Sequence, residues 1–188
     1  MSRSSWRYGS VAQAFHWIVA VIVLIAFIFG PGGSEEQIYS HARDFDRRLH
    51  ETLGLCVLGL AILRVVWRQF DEQPDPPKVS RWMGILAKIV RVMLYLLLFA
   101  VPITAITGAW LEHHPLTLLA GVEIQPLIAA SHTTGASIAT LHTWLGDAIL
   151  WLAGFHALAG LYHHLILKDE VLEAMLPRWF PIGRRRGD

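Results

Sequence analysis

Charge is scarce in this chain of 188 residues: only 16% are Asp, Glu, Lys or Arg, against roughly 25% in an ordinary soluble domain. That deficit, with 54% hydrophobic residues, argues against a soluble domain, which could not hide long unbroken apolar runs. Cysteine is nearly absent. Cys56 is the single example, so an internal disulfide and a cysteine-rich metal site are both excluded, and its place in an apolar run reads as packing. No glycine-rich dinucleotide fingerprint follows a strand, so neither a nicotinamide nor a flavin site is indicated. A net charge of +1 with no arginine stripe excludes nucleic acid as a partner. No tandem repeat or low-complexity tail occurs. The N-terminus does not read as a cleavable leader: the first apolar run ends at Phe29-Gly30-Pro31-Gly32-Gly33 without an A-x-A site, and is expected to be a retained span.

What remains is an all-α integral membrane four-helix bundle, read as a single domain over residues 1–188 and embedded in the lipid bilayer. The predicted spans are 11–29, 50–67, 89–110 and 141–167, each judged against the ~20 residues a helix needs to cross hydrocarbon. Pro102 is expected to kink the third. Residues 71–78, with Pro74, Pro76 and Pro77, read as a stiff aqueous connection. Thirteen of the sixteen Lys and Arg fall on the side of the termini and the middle connection. Arg43, Arg47 and Arg48 are the three on the other side, and 111–140 has none. Both termini are therefore expected in the cytoplasm. Most tryptophans fall near predicted interfaces, whereas Trp151 is deeper in the fourth span and reads as packing.

Ten histidines in so apolar a chain are the functional signal. His16 opens the first span from the inner side, and His50 and His142 open the second and fourth from the outer side. His156 is 14 residues beyond His142, about 21 Å along a helix and within roughly 40° of the same direction. The grouping by depth is His16 with His156 and His50 with His142. Taken singly, each histidine reads first as an interfacial residue or a helix–helix hydrogen bond. As two pairs at two depths they favour two haems, each iron taking one imidazole above and one below. One zinc ion would need a compact set of three or four ligands, which the pairs do not provide. Gly146, Ala153 and Gly160 on the fourth helix, and Gly54 and Ala61 on the second, share the histidine stripes. They leave room for a large ring or for close backbone approach.

Other polar residues keep two readings. His163, seven residues past His156, could hydrogen-bond a quinone or anchor the interface; His164 points about 100° away. Arg64 and Arg91 could balance a haem propionate or snorkel. His41, His113, His114 and His132 read as loop polarity or as a donor-docking surface. Arg43, Arg47 and Arg48 could draw an anionic donor, although Asp44 and Asp46 dilute their field.

The chain resembles the bacterial cytochrome b561 family, its superoxide oxidase member included. The resemblance is carried by Ala14-Phe15-His16-Trp17, Leu49-His50-Glu51 with Gly54, Leu94-Tyr95 with Pro102, Leu141-His142, Gly154-Phe155-His156-Ala157, Tyr162-His163-His164 with Lys168-Asp169, and Met175-Leu176-Pro177-Arg178. It implies a multi-pass protein of the bacterial inner membrane with two haem b groups, whose iron ligands would be His16, His50, His142 and His156. It also implies electron transfer from superoxide on the outer side to membrane ubiquinone, with His163 at the quinone pocket. Two departures bear on the donor: Arg91 stands where that pattern has a histidine, and 111–140 gives no obvious match. An electron-transfer module fed by an outer or membrane redox partner is the alternative, and a haem-free transporter or structural bundle a third.

Overall fold

The computed structural model describes residues 7–71, 79–177 and 180. The Pro74–Pro77 connection and the basic residues Arg3, Lys78, Arg178 and Arg184–Arg186 lie outside them. Four long helices carry the fold: α1 (Ser10–Ile28), α3 (Asp44–Trp67), α4 (Arg81–Leu111) and α5 (His132–Tyr162). Each is long and apolar enough to cross a membrane, where hydrocarbon offers backbone groups no partner and a helix satisfies them internally. Short elements cap the bundle: α2 (Glu35–Ile38), a 3₁₀ turn (His41–Arg43), the strands β1 (Leu116–Thr117) and β2 (Glu123–Ile124), a π turn (His163–Leu167) and α6 (Val171–Met175). β1 and β2 pair antiparallel, Leu116 opposite Ile124.

The helices outrun the predicted apolar spans. α3 starts at Asp44, α4 at Arg81 and α5 at His132, each a turn or more beyond the apolar stretch, because their exposed ends extend past the hydrocarbon. α4 continues through Pro102. Trp151 departs from expectation. It is 68% exposed, turned away from the bundle, because it is nine residues from His142 and so about 180° around α5 from it.

α1 packs along α3, and α4 along α5, while α1 and α5 touch only slightly. The closest approach lies at the end of α4 and α5 remote from the chain termini, named the outer end after the charge expectation above, the opposite end being the inner one. A Cβ on Gly108 would sit 3.3 Å from the backbone N of Ala139, and one on Gly135 would sit 2.6 Å from Cγ of Glu112, so both positions need glycine's bare backbone. Val19, Val57, Ala61, Leu97, Leu98 and Ile149 form the buried core at mid-depth. At the inner end α6 folds back on α1. Gln13 donates to the Ala174 carbonyl at 3.1 Å, Trp17 donates its indole N–H to the Met175 carbonyl at 2.9 Å, and Arg7 pairs with Glu173 at 3.7 Å.

Candidate functional site: two imidazole pairs between the helices

The structure brings the four intramembrane histidines together two by two. The rings of His50 on α3 and His142 on α5 have centroids 5.9 Å apart and planes at 84°. Those of His16 on α1 and His156 on α5 are 6.1 Å apart at 73°. A metal–imidazole bond is about 2 Å long, and a ring nitrogen lies about 1 Å from its ring centre. Two imidazoles on opposite sides of one metal ion therefore have centroids roughly 6 Å apart. Both pairs have that spacing.

The outer pair is held from behind. His50 Nδ1 lies 2.7 Å from the carbonyl oxygen of Ala26, and His142 Nδ1 lies 2.9 Å from that of Val101. A carbonyl only accepts, so each Nδ1 carries the proton and each Nε2 keeps its lone pair for a ligand. The Ala26 carbonyl is free because α1 ends there. The Gly30 N–H that would complete the last helical turn donates to Phe27 instead, leaving an orphan acceptor typical of a helix C-terminus.

A cavity of about 110 Å³, partly open to the surroundings, lies at this pair. Its lining includes both imidazoles with Gly54, Gly146, Pro102 and Ile149. An added Cβ on Gly54 or Gly146 would meet nothing within 4 Å, so here the small residues leave room for a flat group and do not bring backbones together. An apolar cavity flanked by two neutral imidazoles suits a planar, largely hydrophobic metal macrocycle.

The inner pair is framed differently. His16 meets the Trp17 ring edge-on at 5.3 Å, and that indole is tied to the α6 carbonyl described above. The charge of Arg64 is near enough to act on both His16 and His156. Its guanidinium lies over the Tyr95 ring, 5.2 Å from the centroid, so α3 and α4 fix it jointly. His163 is not part of this pair. Its Nδ1 lies 2.6 Å from Asp169 Oδ2, while Asp169 Oδ1 accepts from the Val171 N–H at the start of α6. Among the described residues His164 has no such partner.

The outer cap was not foreseen. Glu51, next to His50, binds Arg47 at 3.0 Å and accepts the backbone N–H of Thr117 in β1. Thr52 accepts from the Leu119 N–H at 3.0 Å. The hairpin is thereby fastened over the outer cavity, where Leu116 joins the lining. Tyr39 stacks on His114 at 3.6 Å, and His114 Nε2 lies 2.6 Å from Glu35 Oε1. Burial, then the charge of Glu51, pushes the Tyr39 phenol well above its usual range. Arg43 pairs with Asp46, Arg47 with Asp44 and Glu51, and Arg48 with Asp44, so little of this cluster's positive field is left to attract a donor. Among the described residues no group of three or more His, Cys, Asp or Glu could hold a metal ion. Two signals for the cap were present in the sequence: the Ser34–Gln37 capping spacing, seen as Ser34 N–H to Gln37 Oε1 at 3.0 Å, and the i,i+4 pair Arg47–Glu51.

Comparison with known proteins identifies the chain's relatives. A family model described as prokaryotic cytochrome b561 matches residues 7–178. Cytochrome b561 homolog 2 of Escherichia coli K12 is 29% identical over 90% of this chain and 91% of its own length. Cytochrome b562 of Cereibacter sphaeroides is 29% identical over 90% and 94%. A Yersinia pestis protein named "Probable superoxide oxidase CybB" is 25% identical over 92% and 97%. The relatives are bacterial, and helical bundles occupy the bacterial inner membrane, whereas the outer one holds β-barrels. The chain is thus a multi-pass inner-membrane protein and belongs to the prokaryotic cytochrome b561 family, membrane electron-transfer proteins whose typical cofactor is haem b.

Proposed function

We propose that the protein carries electrons across the inner membrane from superoxide at its outer side to membrane ubiquinone. The observation that carries the reading is the pair of imidazole spacings, 5.9 and 6.1 Å, at two depths of one bundle. His50 with His142 would hold an outer haem b, and His16 with His156 an inner one, the pairs being linked by α5. Bound there, the two haems would supply one-electron carriers. The chain's residues do the rest. The Ala26 and Val101 carbonyls set the imidazole tautomers, the Val57–Leu97–Ile149 core spaces the two levels, and the hairpin under Glu51 covers the outer side. In this reading the bundle is one membrane domain with spans 11–29, 50–67, 89–110 and 141–167 and both termini in the cytoplasm, as its thirteen inner Lys and Arg favour.

In the balanced reaction two superoxide ions each lose one electron and leave as oxygen, and one quinone takes two electrons and two protons. His163 is the candidate quinone residue. With Nδ1 held by Asp169, its Nε2 faces away from that bond and is the atom able to pass a proton to or from a quinone oxygen. Kinship with a protein named for superoxide oxidase supports the donor. The paired outer arginines favour the second reading, in which a redox protein docks at the outer cap and supplies the electrons.

The test is anaerobic stopped-flow spectroscopy of the purified, haem-replete protein. Controlled superoxide should reduce the haem within the mixing experiment, and added ubiquinone should reoxidise it. Absence of reduction by superoxide would remove the donor from this reading; reduction only on adding a protein partner would select the second.

A further inference from the structure

Asp147 stands in the middle of α5, five residues inward of His142 and nine outward of His156. It is exposed, and among the described residues no hydrogen bond or ion pair reaches it. At about 100° per residue, nine positions put it on the side of α5 opposite His156, so it faces away from the bundle at a depth between the two imidazole pairs. A carboxyl group turned toward hydrocarbon is costly, and such residues nearly always find a partner.

The same outward side of α5 carries Trp144, Trp151, Phe155 and Leu158, exposed by 72, 68, 61 and 61%. On a helical wheel Trp151 and Leu158 lie near the centre of this stripe. Asp147 lies on one flank, and Trp144 and Phe155 lie on the other, about 60° away. Phe155 stacks on Trp151, centroids 6.2 Å apart, so the aromatic half of the stripe is one surface. Neither indole N–H on this face has a hydrogen-bond partner among the described residues.

We propose that this face of α5 is the interface of a parallel homodimer in the membrane, with Asp147 of each copy accepting a hydrogen bond from the Trp144 indole of the other. Two copies inserted with the same topology are related by a two-fold axis along the membrane normal. Such an axis carries the Asp147 flank of one helix against the Trp144 flank of the other and keeps the two carboxyl groups on opposite sides of the interface. The donor and acceptor differ in level by three residues, about 4.5 Å, within the reach of an indole and a carboxyl. The complementarity is reciprocal: one acceptor and one donor per copy satisfy each other twice. An unrelated apolar helix would leave Asp147 without a donor. Polar contacts between membrane helices are a recognised source of such association.

The test is oxidative crosslinking of the full-length protein in native membranes, with Cys56→Ser removing the native thiol. Leu158→Cys, near the centre of the stripe, is expected to give a covalent dimer at least five-fold above Ile18→Cys, an exposed position on α1 (48%). Adding Asp147→Ala or Trp144→Phe should cut that yield several-fold while haem absorbance per chain stays unchanged. Native mass spectrometry of the wild type should show two chains. Crosslinking no greater than at position 18, a yield indifferent to both substitutions, or an equimolar foreign subunit in place of the second copy would each overturn the proposal. None of these readouts depends on the electron donor or acceptor.

Discussion

The Nδ1–H of His142 donates to the carbonyl oxygen of Val101 over 2.9 Å, and Val101 is the residue before Pro102. The same carbonyl accepts the Thr104 hydroxyl at 2.9 Å. Proline has no N–H to give the Leu98 carbonyl four residues back, and its ring crowds the preceding turn, which is the turn that ends in the Val101 carbonyl facing α5. Pro102→Ala removes that crowding and lets the Val101 carbonyl settle along the helix axis, so it is expected to weaken the contact, at a cost of about 0.5–1.5 kcal/mol for the hydrogen bond. Electron paramagnetic resonance of the oxidised protein should then show a shifted low-spin signal for one haem and an unchanged one for the other. Two unchanged signals would mean that the Val101 carbonyl does not orient His142.

Removing one imidazole should empty one level only. His142→Ala and His50→Ala are each expected to lower the haem content from two per chain to one, and so are His16→Ala and His156→Ala. The remaining haem should differ between the two sets in its potential and spectrum. Pyridine haemochrome assay against protein concentration reads the stoichiometry directly. Loss of both haems from a single substitution, in protein that still folds, would show that the two sites are not separable.

Arg64 places a positive charge beside the inner pair while stacked on Tyr95 at 5.2 Å. A nearby cation favours the reduced, less positive iron. Arg64→Gln is therefore expected to lower the inner midpoint potential by on the order of 50 mV, close to the 59 mV that makes a tenfold change for one electron. The outer potential should move much less. A spectroelectrochemical titration resolves the two.

Much of the bundle was legible because hydropathy and helical period are local signals. The 14-residue interval between His142 and His156 implies two depths on one side of one helix, and the helix continues unbroken between them. The outer cap was not legible. Leu116–Thr117 and Glu123–Ile124 are two residues each, too short for any alternation to show. What holds them is Glu51, 66 residues away from Thr117 in sequence. The first turns of α5 carry Thr, Gly, Ala and Ser, with little apolar periodicity, so only packing against α4 defines them. Trp151 was misread because hydrophobicity marks a core in water, whereas in a bilayer the outer surface is apolar too.

Glu51 joins the first turns of α3 to the hairpin through Arg47 and the Thr117 N–H. Glu51→Gln keeps the shape but loses the charge of both contacts, and should loosen β1 by about 1–2 kcal/mol, the margin by which hydrogen bonds to charged groups exceed neutral ones. Hydrogen exchange at the Thr117 amide should accelerate about tenfold, the equivalent of 1.4 kcal/mol, while amides in the middle of α4 keep their protection. Equal exchange in both proteins would show that the hairpin is held by its own pairing and by Thr52.

Glu112, just past the end of α4, has its carboxyl held above the usual range by burial and then by the negative charge of Glu35. A carboxyl with a raised folded-state pKa binds its proton more tightly in the folded chain than in the unfolded one. By linkage, its contribution favours the fold below the unfolded-state pKa and is lost as pH rises through the folded value. Glu112→Gln fixes the neutral form, so variant and wild type should melt together at acid pH. Toward neutral pH the variant should become the more stable, and the gap should level off once Glu112 is fully ionised. Thermal unfolding midpoints measured across that range in one detergent at constant ionic strength read the difference. A wild type that gains stability relative to the variant as pH rises would mean that the positive groups nearby, His114 and His132, outweigh burial and Glu35.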